Sequence, residues 1–78
     1  MKLQETRTKA GLSQSALADR SGVNVRTIQE YEYGRKIVDT AKLGIIAALA
    51  EAMQVPMYEL LEDPELAQLV KTNMKRGR

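Results

Sequence analysis

"GLSQSALADRSGVNVRTIQEYEYGRK", residues 11–36, decides how this chain folds. Two short helical patterns flank Ser21-Gly22-Val23. A connection this tight prevents the helices from running side by side and makes them cross steeply, which is helix-turn-helix geometry. Such a crossing has packing requirements at fixed steps. Ala18 is small where the helices touch, Gly22 takes the backbone through the turn, and Val23, Ile28 and Tyr31 fill the wedge. Ser13 and Asn24 stand where each helix needs a side-chain oxygen for its unsatisfied amides, and Gly22 and Gly34 stand where each helix stops. The second helix, from Asn24 to Tyr33, sets Ile28 and Tyr31 on its inner side and leaves a largely polar outer face.

Working outward, Lys2 to Lys9 reads as a helix that ends at Gly11, with Leu3 turned inward. Beyond the motif, Thr40 to Met53 reads as a fourth helix. Its "AKLGIIAALAEAM" is apolar nearly all round, so it sits centrally or covers a partner. Gly44 costs that helix about 1 kcal/mol and is expected to admit a close neighbour. Pro56 fits the first turn of a short fifth helix, "PMYELLE". Asp63-Pro64 reads as the cap and first residue of a sixth, "PELAQLVKTNM", followed by a fraying "KRGR". The expected organisation is therefore all-α, with a helix-turn-helix domain over residues 1–62 and a helical extension with a basic tail over 63–78. The stripe Leu66, Leu69, Val70, Met74 has two readings: it folds onto the domain's own core, or it dimerises. Ile37, Val38 and the apolar surplus of the fourth helix favour a partner surface.

Composition bounds the rest. Seventy-eight residues, 44% hydrophobic and 28% charged, make one domain near the lower size limit for an independent core. No segment approaches the run of about 18 apolar residues needed to span a bilayer, and the charged N-terminus does not resemble a secretory leader, so a cytoplasmic location without membrane attachment is expected. Histidine and cysteine are both absent, which removes the commonest general bases, nucleophiles and metal ligands. The chain therefore reads as no enzyme, with no cofactor and no metal. Charge is unevenly spread: residues 1–36 carry a net +3, residues 37–70 a net −5 and the last eight a net +4. A basic N-terminal half suits a polyanionic partner.

With "GLSQ" opening the first motif helix, "SGV" at the turn, "TIQEYEYG" in the second helix and "LAEAMQV" later, the chain resembles the lambda-repressor-like helix-turn-helix domain of the Cro/CI (Xre-like) family over residues 2 to 62. The resemblance implies a five-helix fold, here with an added sixth helix, whose second and third helices dock on double-stranded DNA. It also implies homodimers bound to palindromic operators. Carried over by position, Gln14 would grip a phosphate and brace the recognition helix. Val25, Arg26, Gln29 and Glu30 would face base edges, while Thr27, Tyr33, Arg35 and Lys36 would lie beside the backbone. Arg7 and Glu32 match a structural salt bridge between the first and third helices. Two departures stand out: Ser21 sits where an apolar residue is common, and the linker "RKIVDTAKLG" lacks a common proline.

The chemistry suits these positions. Arginine donates two bonds to guanine O6 and N7, and glutamine pairs with adenine N6 and N7, each worth about 1–3 kcal/mol of discrimination. Val25 can pack on a thymine methyl. Glu30 can accept from cytosine N4, yet a carboxylate is repelled by phosphates, so it either reads a base or is held by Arg26 one turn earlier. Gly34-Arg35-Lys36 can be a helix cap with two solvated cations, a phosphate clamp, or both. Tyr33 can stack on a sugar or shield the cap. The resulting expectation is a transcriptional repressor. The alternative is an antitoxin or adaptor whose fourth and last helices bind a protein such as a toxin, with autoregulatory DNA binding.

Overall fold

A computed structural model describes residues 1–76, and these form five α-helices: α1 (Lys2–Lys9), α2 (Gln14–Ser21), α3 (Val25–Glu32), α4 (Leu43–Met53) and α5 (Pro64–Arg76). Two single 3-10 turns, Val38–Thr40 and Met57–Leu60, interrupt the connections. No strand occurs among the described residues. No helix among them is long and apolar enough to cross a membrane. Residues 77 and 78 of the basic tail lie outside the described residues, and helix continues through Lys75 and Arg76 where fraying was expected.

The local signals act as read. Gly11, at φ +73, turns the chain out of α1, and the Leu12 amide bonds back to the Arg7 carbonyl at 3.2 Å. Ser13 Oγ accepts from the Ala16 amide at 3.0 Å, and Asn24 Oδ1 accepts from the Arg26 amide at 2.7 Å. Each therefore satisfies an amide that has no partner within its helix. Gly22, at φ +76, closes α2 through its bond to the Ala18 carbonyl. Ser21 has a physical use after all: its hydroxyl accepts from the Val23 amide at 3.1 Å, holding the turn.

The core is one cluster. Leu3, Leu17, Ile28, Val38, Leu49 and Leu60 are fully buried, and Tyr31, Ile46, Ala50, Met53 and Leu61 complete it. Ala18 and Val23 pack on this cluster from the turn side, as the crossing geometry required. Leu66, Ala67 and Val70 lay one face of α5 on the same core, whereas Leu69 stays 61% exposed. The stripe therefore meets the domain's own core at Leu66 and Val70 and leaves Leu69 and Met74 exposed.

Several expectations are corrected. The fourth helix starts at Leu43 rather than Thr40, because the Thr40 and Ala41 amides bond to Ile37 and Val38 carbonyls in a separate turn. Ala41 and Lys42 are then extended. Val38 is core and not partner surface, while its neighbour Ile37 is 58% exposed. Gly44 admits no close neighbour, since a Cβ built there would have nothing within 4 Å. Instead of a helix from Pro56, the segment makes only the turn Met57–Leu60, with Pro56 extended ahead of it. Asp63 does cap the last helix, accepting from the Glu65 amide at 2.9 Å, and that helix has 13 residues.

Candidate nucleic-acid interface

The interface is built on α3, and α3 is held from behind. Ile28 and Tyr31 bury its inner side, and Glu32, only 7% exposed, joins them. A buried carboxylate is tolerated only when fully partnered. Arg7 of α1 supplies two bonds, Nε to Glu32 Oε2 at 2.7 Å and Nη2 to Oε1 at 2.9 Å. Arg7 also donates from Nη1 to the Leu12 carbonyl at 2.9 Å, tying the end of α1 into the same knot. The hydrogen bonds to Glu32 hold the Arg7 guanidinium above its ordinary pKa, against the opposing effect of burial. The pair expected between the first and third helices is therefore present.

Gln14, the first residue of α2, extends this network forward. Its Nε2 donates to Glu32 Oε1 at 2.9 Å, and its Oε1 accepts from Gln29 Nε2 at 3.3 Å. The start of α2 and the flank of α3 are thereby locked together, which is the bracing expected of Gln14. Its position at a helix N-terminus also leaves it where backbone amides favour an anion.

At the far end of α3, Gly34, at φ +80, turns the chain so that the Arg35 and Lys36 amides both bond to the Glu30 carbonyl, at 2.9 and 3.1 Å. This fold-back brings the Lys36 ammonium within 3.2 Å of the Glu30 carboxylate. Among the described residues the ion pair of Glu30 is with Lys36, and not with Arg26, which was one of the two roles the sequence offered for it. Gly34-Arg35-Lys36 is a helix cap, and its two cations stay exposed beside the helix.

The structure brings Arg26, Gln29, Glu30, Tyr33 and Arg35 around one shallow depression on the outer side of α3. Tyr33 is 64% exposed there, so its ring is available to a ligand. Val25 lies elsewhere, on a concavity at the α2–α3 junction with Ser15, Asp19 and Asn24. Thr27, half-buried, lines neither depression. Sequence reading assigned Ser15 no role and Asn24 only a cap. Both are exposed polar groups beside Val25, and the signal for them is their place on either side of the turn.

No curated protein and no solved structure matches the chain. A family model described as helix-turn-helix matches residues 3–60, a span that begins in α1, contains the α2–turn–α3 crossing and closes on the turn before α5. By that match and the fold that carries it, the chain belongs to the Cro/C1-type helix-turn-helix family of lambda-repressor-like DNA-binding regulatory domains.

Proposed function

We propose that the protein is a sequence-specific transcriptional repressor that inserts α3 into the major groove of double-stranded DNA. The observation that carries this reading is the outer depression of α3, where Arg26, Gln29 and Glu30 meet Tyr33 and Arg35 on a helix buried along its other side. Val25, Arg26, Gln29 and Glu30 read base edges. Gln14, Thr27, Tyr33, Arg35 and Lys36 set the position on phosphates, supplying affinity with little sequence information. Lys36 neutralises Glu30, which lets a carboxylate approach the polyanion.

In this reading residues 1–62 are the DNA-binding domain, residues 63–78 are an appendage to it, and the protein works in the cytoplasm. It acts as a homodimer on a palindrome whose half-sites lie about 34 Å apart. Leu43 at 69% exposure and Ile37 at 58% supply apolar surface for the second copy. Selection of bound DNA from a random pool at stated salt, with sedimentation of the complex, tests all of this together. Recovery of a palindrome bound by two chains supports it, and recovery of no consensus sinks it.

A second reading has its own observation. Leu69 and Met74 leave apolar surface exposed on α5, and neither lines the α3 depression. In this reading α4 and α5 hold a protein partner such as a toxin and DNA binding is autoregulatory. Co-purification of a second chain that Leu69→Lys releases would favour it.

A further inference from the structure

Glu32 is buried behind α3, yet a directional chain of hydrogen bonds leads from it to the outer depression. A carboxylate offers acceptors only. Gln14 must therefore turn its NH2 toward Glu32, and it does, at 2.9 Å. The oxygen and nitrogen of an amide diverge from a trigonal carbon, so with its nitrogen on Glu32 the Gln14 side chain presents Oε1 to Gln29. That oxygen also only accepts. Gln29 must then give its nitrogen, and Gln29 Nε2 donates to it at 3.3 Å. Arg7, bonded to both Glu32 oxygens, fixes the carboxylate at the head of the chain.

The consequence is felt at the depression that Gln29 lines. With its nitrogen tied inward, Gln29 keeps one N–H and its carbonyl oxygen for a ligand, in a single spatial order. Adenine presents an N6–H donor beside the N7 acceptor, whereas guanine presents two acceptors, O6 and N7. A freely turning glutamine can offer its NH2 to guanine or either order to adenine. A tethered one cannot. We propose that Glu32, acting through Gln14, is a positioning residue for specificity that fixes the Gln29 amide in the order selecting adenine over guanine. This rests on the docking of α3 in the major groove proposed above.

The test uses the full chain and the variants Gln14→Leu, Glu32→Gln and Gln29→Ala. Gln14→Leu leaves the Arg7–Glu32 pair in place, so it remains informative where Glu32→Gln fails to fold. Competition binding with single-base variants of the selected operator should show wild type preferring adenine by about tenfold at one pair per half-site, and Gln29→Ala abolishing that preference. Gln14→Leu should reduce it to within about twofold at the same pair and leave other positions unchanged. Retention of the full preference in Gln14→Leu overturns the proposal. In the free protein, the Gln29 side-chain amide resonances should shift and exchange faster in Gln14→Leu. If they do not move, the relay is absent whatever the DNA result. Wild type showing no selective binding overturns the docking reading and the specificity role with it, while the amide resonances still report separately on the relay.

Discussion

Arg7 and Glu32, 25 positions apart, close a two-point ion pair at 2.7 and 2.9 Å that fastens α1 to the back of α3. The glutamate side chain is 2% exposed and the arginine 14%, so the pair is desolvated on the carboxylate side. A pair of this kind is a weak source of net stability but costly to break, because one buried charge is left alone. Arg7→Met should cost about 3 kcal/mol, and Arg7→Met/Glu32→Leu should recover most of it. Urea unfolding of the three proteins decides this; equal losses in the single and double variants would mean that packing and not charge sets the cost. The Arg7 pKa is raised on folding, so its contribution is complete at every pH below the arginine range and lost only as pH climbs beyond it. No pH dependence from this group should therefore appear near neutrality.

Arg26 lines the α3 depression and Lys36 pairs with Glu30, which also lines it, but the two should fail differently. Arg26→Ala should relax selectivity at one base pair by about 1–3 kcal/mol. Lys36→Ala should weaken binding to all sequences and lower the salt slope by about 1. Lys36 also restrains Glu30, so its removal frees a carboxylate near phosphate. Lys36→Ala/Glu30→Ala should bind better than Lys36→Ala, as titrations at several salt concentrations would show.

Asp39 reaches from the linker after α3 to the start of α5. Its two oxygens accept from the Glu62 amide at 2.8 Å and the Asp63 amide at 2.9 Å. Asp39→Ala should destabilise by about 1–2 kcal/mol, since two amides lose their acceptor at a partly solvated site. Hydrogen exchange should accelerate first at Glu62, Asp63 and the first turn of α5, and last at Leu49. Uniform acceleration would show that α5 is not held separately by this contact.

Two backbone positions offer stabilising changes. Gly44 is helical with open space around it, so Gly44→Ala should add about 0.5–1 kcal/mol by lowering the entropy of the unfolded chain. Gln54 ends α4 at φ +59, a left-handed conformation that a side chain disfavours. Gln54→Gly should relieve it, partly offset by loss of the Gln54 Nε2 bond to the Glu51 carbonyl at 2.8 Å. Thermal melts should rise by several degrees for Gly44→Ala and less for Gln54→Gly. A fall for Gly44→Ala in a dimer, but not in a monomer, would place that face at the interface between copies.

What was legible in the sequence was local. Ser13 and Asn24 cap amides two or three residues away, Gly11, Gly22 and Gly34 take positive φ at helix ends, and Ala18, Val23, Ile28 and Tyr31 occupy one wedge. Such features depend on neighbours within a turn of helix, so residue type and spacing are enough to read them. The Arg7–Glu32 pair was legible only through the family resemblance, since nothing in spacing alone joins residues so far apart.

The linker after α3 and the depression beside it were decided by tertiary structure. Residue type does not distinguish Ile37 from Val38, yet one is 58% exposed and the other fully buried, because the direction of a side chain in an irregular segment is set by the elements that close over it. Spacing offered Arg26 as one possible partner for Glu30, but the Gly34 turn returned Lys36 to that carboxylate. Likewise Gln29 was legible as a polar residue on an outer face. Its bond to Gln14 required α2 and α3 to cross at one particular place, and only the buried charge of Glu32 gives that bond its direction.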